Sequence, residues 1–363
     1  MIDPRIKKSA EVIVNHSTRV KTGDVVRITC GVPAKPLALE VYRLCVKNGA
    51  HVKLAAGFDE AAKIFFDEAK PHQLMKFPKI SMYEAKNTDV FINIGGEEHP
   101  KILMGVDPKK ITTRRKVVNP ISEYIVNIAK KRWLGFEYPT KALAKEAKMS
   151  LKEYENFVFG SVLLDWNKEN KKMYKLARIL DKTDKVRIVG PQTDLRFSVK
   201  GMHALPDDKK YEGQFNMPDG EVFTAPVKNS VNGKIYYEYP ALYNGNEVIG
   251  IKLEFKNGAV VKTSAKKNEK FLKQMIAADP GSKYLGELGI GLNKHIKKFT
   301  GQILFDEKMF GTIHLALGMA YKETKGTNKS AVHWDMIKDM RKGKIYFDDK
   351  LVFKNGKWLV GYK

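Results

Sequence analysis

The sequence has only 2 cysteines, Cys30 and Cys45, in 363 residues. That pair offers neither a disulfide framework nor a thiolate cluster, so any bound metal must be held by histidine and carboxylates. Long apolar runs are missing too. The longest stretch without Asp, Glu, Lys or Arg is the 13 residues Met309–Tyr321, whereas a membrane-spanning helix needs roughly 20 apolar residues. No membrane partner is expected. At the N-terminus, MIDPRIKKSAEVIVNH places Glu11 and Asn15 where a secretory signal needs an unbroken apolar core, which points to a cytoplasmic protein.

Arginine is scarce. The formal net charge is +24, but only 11 of the 65 basic residues are Arg. Surfaces that read phosphates and bases favour the planar guanidinium fork, so a lysine-dominated excess reads first as a solvated surface. The excess is also uneven. Residues 101–200 carry 23 basic and 11 acidic side chains, while residues 201–250 carry 4 basic and 7 acidic. Common catalytic signatures are absent as well: there is no GxxxxGK[ST] phosphate loop, no HExxH and no GxSxG. The glycines of GELGIG (286–291) match no dinucleotide fingerprint and are assigned to a turn.

What is present fits two domains. A chain of 363 residues with 43% hydrophobic residues can bury two cores. The first half alternates strand-like and helix-like segments: a helix over 7–16, a strand at 24–30, a helix over 36–48, a strand from His51, a helix over 61–75 and a strand from Thr88. The near-continuous apolar run TDVFINIGG belongs to a parallel sheet buried on both faces. Residues 120–180 read as largely helical with a break at Pro139, and the boundary is placed between residues 183 and 184. Beyond it lie short alternating strands with Asn-Gly hairpin signals at 244–245, 257–258 and 355–356, and a helix over 266–277. The expected fold is an α/β N-terminal domain with a mostly parallel sheet (1–183), followed by an α+β, largely antiparallel metal-binding domain (184–363).

Four segments of the second half carry histidines and carboxylates among glycines or small residues. They are MPDGEVFTAPV with Glu221, KYLGELGIGLN with Glu287, LFDEKMFGTIHLALGMAY with Glu307, His314 and Tyr321, and SAVHWDMI with His333 and Asp335. Taken singly, each has a bland explanation as a solvated turn, a strand-end charge or a satisfied core histidine. On a helix, Tyr321 would share a face with His314. His333 and Asp335 would diverge by about 200° on a helix, so their joint action needs an extended backbone. Together the set suits a two-metal site. Mixed histidine and carboxylate ligation fits Zn²⁺, Co²⁺ or Mn²⁺, and ions about 3.5–4 Å apart need a bridging carboxylate.

These segments, MPDGEVFTAP (217–226), LGELG (285–289), FDE followed by HLALGMAY (305–321) and HWD (333–335), resemble the aminopeptidase T family of thermophilic-type metalloaminopeptidases over essentially the whole chain. The resemblance implies a homodimeric exopeptidase with two divalent metal ions per subunit, acting on peptide substrates from a C-terminal active site. It implies metal ligands at Glu221, Glu287, Glu307, His314, His333 and Asp335, with Glu287 bridging the ions and Tyr321 as a transition-state hydrogen-bond donor. Two departures stand out. The segment between Glu307 and His314 is longer than in many relatives. Relatives often carry a second acid immediately before Glu221, whereas Gly220 stands there in this chain with Asp219 one residue further back.

Two rival readings remain from the sequence. A nucleic-acid or acidic-partner binding protein would use Lys109-Lys110, Arg114-Arg115-Lys116 and Lys130-Lys131-Arg132, but few aromatics interleave with these clusters to stack bases. A metal-binding relative without peptidase activity is the other.

Overall fold

The structure, a computed structural model, describes residues 2–206, 214–243 and 245–362, and for Pro108, Gln214 and Phe215 the backbone alone. Two compact units emerge: Met1–Leu163 with Asp208–Pro218, and Leu164–Asp207 with Asp219–Lys363.

The first unit contains an all-parallel sheet of β1 (Val25–Gly31), β2 (His51–Gly57), β3 (Val90–Gly95), β4 (Arg132–Glu137) and β8 (Gln214–Met217), in the order β2-β1-β3-β4-β8. The parallel α/β expectation holds. Its details shift at three places. Pro71 cannot continue a helix, so the segment expected as one helix over 61–75 is two, Asp59–Glu68 and Pro71–Met75. Arg132–Glu137, expected within a helical stretch, is the fourth strand, because its central Leu134 and Phe136 are buried between neighbouring strands. The helix Trp166–Leu180 falls in the second unit, ahead of the expected boundary. Its stripe Met173, Leu176, Ala177 and Leu180 joins that unit's core.

The second unit is built on antiparallel sheets. One has eight strands in the order β14-β13-β10-β6-β5-β18-β19-β20. These are β5 (Lys185–Gly190), β6 (Thr193–Ser198), β10 (Asn232–Tyr236), β13 (Lys252–Lys256), β14 (Ala259–Ser264), β18 (Lys344–Phe347), β19 (Lys350–Lys354) and β20 (Lys357–Trp358). The Asn-Gly signals at 257–258 and 355–356 are hairpin turns, with φ of 50° and 86° in the first and 50° and 80° in the second. A third hairpin joins β11 (Ala241–Tyr243) to β12 (Asn246–Val248), though Asn244 of its signal lies outside the described residues. The sheet that matters for function has five strands, β17 (His333–Asp339), β16 (Thr312–Gly318), β15 (Leu285–Gly291), β9 (Glu221–Thr224) and β7 (Leu205–Pro206), adjacent in that order. One face sends Val222, Leu288, Ile290, Ile313, Leu315, Leu317, Trp334 and Met336 into the core.

In the first unit, the Glu137 carboxyl at the end of β4 is buried over Gly95, where an added Cβ would meet Oε2 at 2.4 Å. Burial and the neighbouring Glu97 raise it to about 8. Because the folded value lies above the ordinary 4.5, its contribution to stability is complete below 4.5 and is lost as pH rises through about 8. The Glu137→Gln variant is therefore expected to match the parent in acid and to unfold at a higher temperature above that window. Thermal unfolding curves with the same separation at every pH would contradict this.

Candidate metal centre

The other face of the five-stranded sheet gathers the candidate residues through strand register. Across β9 and β15, Glu221 pairs with Gly291 and Phe223 with Gly289. Across β15 and β16, Glu287 pairs with Ala316 and Gly289 with His314. Across β16 and β17, Ala316 pairs with Asp335 and Gly318 with His333. Side chains alternate along a strand, so Glu221, Glu287, His314, His333 and Asp335 all emerge on one face.

Two local devices make this possible. The first is a bulge in β15 between Leu285 and Glu287. Leu285 faces the core, as do Leu288 and Ile290, so the alternation changes phase at Gly286 and aims Glu287 at the site. The second is glycine itself. A Cβ on Gly289 would meet His314 Nε2 at 1.9 Å, so only glycine leaves room for the imidazole. The assignment of 286–291 to a turn is thus corrected: these residues are a fully buried strand, and its glycines form a cradle. His314 likewise stands on strand β16 and not on a helix. Tyr321 lies beyond the strand end, its ring centroid 4.9 Å from that of His333 and 6.0 Å from that of Phe223.

The geometry gives the site its chemistry. His314 Nδ1 lies 3.0 Å from the backbone oxygen of Glu307, and His333 Nδ1 lies 2.8 Å from that of Met319. A carbonyl oxygen only accepts, so both Nδ1 atoms carry hydrogen and both Nε2 atoms point into the site. There His314 Nε2 is 3.2 Å from Glu221 Oε2 and 3.2 Å from Glu287 Oε1. His333 Nε2 is 3.4 Å from Glu287 Oε2 and 3.6 Å from Asp335 Oδ2. A neutral imidazole would turn a lone pair on two carboxylates at once, which is repulsive unless a proton or a metal cation lies between. Asp335 Oδ1 is moreover buried with no hydrogen-bond donor among the described residues, and the buried Glu221 Oε2 and Glu287 Oε2 face those imidazole nitrogens. These donors fall into two groups that share one residue: Glu221, Glu287 and His314, and Glu287, His333 and Asp335. The residues fit divalent metal on donor chemistry and on spacing.

Glu307 meets this centre through its backbone oxygen at His314, and its buried carboxylate, which meets the ammonium of Lys308, also lies within electrostatic reach of Glu221, Asp335 and His314; Lys308 is a residue the sequence did not single out. Lys308 immediately precedes the charge-free run, but its burial is not written in any local pattern. At Gly220 a Cβ would meet Asn293 Cβ at 2.6 Å with φ at +130°, so the backbone closes that position to any acid.

The ionisation pattern follows from packing. Burial alone would raise Glu287, but His314 and His333 overcome it and hold the carboxyl near 2. Burial would lower both imidazoles, yet the carboxylates lift His333 to about 10 and His314 well above its ordinary value. Packing around the Tyr321 hydroxyl and the nearby acids raise its value, so it stays a neutral donor.

A sheet face with two imidazoles and three carboxylates has the donor set of a divalent-metal protein. The family model for thermophilic metalloprotease (M29) matches residues 2–358. The chain belongs to that family, the aminopeptidase T family of the sequence resemblance, and is a metalloaminopeptidase. Aminopeptidase 2 of Geobacillus stearothermophilus is 26% identical, covering 98% of each chain. Aminopeptidase AmpS of Bacillus subtilis (strain 168) is 27% identical over 97% of this chain and 94% of its own. The solved wild-type AmpT from Thermus thermophilus superposes with a TM-score of 0.86 at 21% identity, covering 98% of this chain and 99% of its own, which shows the shared fold.

For raised imidazoles the sign is definite. Their protons stabilise the chelator-treated protein fully below 6.5, and this is lost as pH rises through about 10. The unfolding midpoint of chelated protein is expected to fall across that window, and metal uptake at neutral pH to release protons. Calorimetry in buffers of different ionisation enthalpy reads the release; uptake without protons would show the imidazoles to be neutral beforehand.

Proposed function

We propose that the enzyme cleaves the N-terminal peptide bond of peptides at a dinuclear centre held by Glu221, Glu287, His314, His333 and Asp335. The observation that carries the reading is the pair of three-donor groups sharing Glu287, whose two oxygens face different imidazoles. Two divalent ions there, Zn²⁺, Co²⁺ or Mn²⁺, would lower the pKa of water and polarise the scissile carbonyl.

The chain's own residues supply the rest. Glu287 spans the two groups, and the backbone carbonyls of Glu307 and Met319 orient the imidazoles so that each presents Nε2. Tyr321 is 39% exposed beside His333, where a neutral phenol can donate to the oxyanion of the tetrahedral intermediate. The excess of carboxylate over imidazole suits a substrate whose free amine is cationic. The proposal extends to the homodimer implied by the resemblance and to the cytoplasmic location expected from the sequence. Sedimentation equilibrium and cell fractionation check them.

The nucleic-acid reading gains no support from the structure. Lys110 Nζ donates to the Phe66 carbonyl at 2.6 Å, Arg114 to the Lys76 carbonyl at 2.7 Å, and Arg132 pairs with Asp24 at 2.6 Å. Part of each basic cluster is spent inside the first unit.

Hydrolysis of amino-acid anilides tests the proposal. Activity is expected to vanish on chelation, to return with divalent metal, and to be absent on N-acetylated substrates. Tyr321→Phe is expected to lower kcat by about 10²–10³-fold with metal content unchanged. Turnover that survives thorough chelation, or bound metal without turnover on any free-amine peptide, would contradict the reading.

A further inference from the structure

The Lys308 side chain is 0% exposed, a burial that ammonium groups sustain only when paired. Its Nζ lies 3.2 Å from Glu221 Oε1 and touches the carboxylate of Glu307. The backbone explains how a lysine comes to this place. Gly291 faces Glu221 across the β9–β15 ladder, and a Cβ on Gly291 would meet the Met309 oxygen at 2.1 Å and the Lys308 carbonyl carbon at 3.0 Å. The 308–309 peptide therefore lies directly on the sheet, fastened by the Asn293 N–H donating to the Lys308 oxygen at 3.0 Å. From that anchor the lysine side chain reaches one ladder position across to Glu221.

Neither metal-donor group includes Glu307, although its main chain orients His314. We infer that Lys308 is a positioning residue that holds Glu307 as its counter-ion, outside the metal's donor set, and fixes Glu221 by Oε1 so that Oε2 faces His314 Nε2. The inference rests on the metal centre proposed above. Bringing the Glu307 carboxylate onto a metal would pull it from the fully buried Lys308 ammonium, whose charge would then rest on Glu221 Oε1, itself drawn toward the metals, an unfavourable exchange at a buried site. The ion pair also cancels its own charge, so the divalent ions are left to balance Glu221, Glu287 and Asp335. The residues that follow Glu307 carry the backbone over Gly291 before it enters β16.

The test uses the full chain loaded with Co²⁺, whose visible spectrum reports coordination number and geometry. Ion content is read by elemental analysis and affinity by competition with a chromophoric chelator. Glu307→Gln, whose amide oxygen still accepts from the Lys308 ammonium, is expected to keep ion content and spectrum, with affinity within about tenfold of the parent. Lys308→Met is expected to release Glu307 toward the metal and change the spectrum, and the double variant Lys308→Met/Glu307→Gln to restore the parent spectrum. The double variant replaces a buried ion pair by neutral groups of similar size, so it is expected to fold even where Lys308→Met does not.

Loss of an ion, or a loss of affinity beyond about tenfold, in Glu307→Gln alone would overturn the inference by making Glu307 a ligand. An unchanged spectrum in folded Lys308→Met would overturn it equally. Failure of the parent protein to bind Co²⁺ at all would instead contradict the metal centre itself.

Discussion

Two backbone carbonyls govern the active face of this enzyme. By accepting from Nδ1 of His314 and His333, the Glu307 and Met319 oxygens turn each Nε2 toward carboxylates that are themselves buried. Such an arrangement has no stable form without positive charge between its members: protons raise the imidazoles far above their ordinary range, and divalent ions would replace those protons. The oriented carbonyl, the imidazole and the carboxylate form a chain in which fixing the first atom fixes the last. That chain, more than any single donor, makes the site selective for a cation.

The remaining structure serves to hold that face. Five antiparallel strands present the donors at ladder positions, and a sheet of eight strands contributes to the same unit's core. A plain sheet face would be too crowded for the His314 ring and the backbone at 308–309, and the space is opened by leaving out side chains at Gly289 and Gly291. One bulge at Gly286 then reverses the alternation so that Glu287, flanked by core leucines, looks the other way. The buried Lys308 fits the same economy, since an ion pair with Glu307 lies beside the donors without enlarging their number.

Much of this was legible in the sequence. The parallel sheet showed in the apolar run ending at Gly95, the antiparallel unit in its Asn-Gly hairpins, and the site in five residues lying among glycines. The extended spacing of His333 and Asp335 was read correctly from the angle a helix would impose. What stayed hidden depends on partners distant in sequence. The glycines of 286–291 looked like a turn because they make room for partners distant in sequence, a ring at Gly289 and backbone at Gly286 and Gly291, which no local pattern records. His314 sits in an apolar run that suits helix and buried strand alike, and only the pairing with β15 and β17 decides. Arg132–Glu137 is a strand because the sheet needs one there, although the residues around it are helical. Lys308 looked like one more surface lysine in a lysine-rich chain.

The central claim is that two cations occupy this face and share Glu287. Anomalous diffraction from crystals grown with Zn²⁺ or Mn²⁺, recorded on either side of the metal edge, tests it most directly. The account predicts two peaks about 3.5–4 Å apart, one contacted by Glu221 and His314, the other by His333 and Asp335, with Glu287 touching both. A single peak, or two peaks that do not share Glu287, would contradict it.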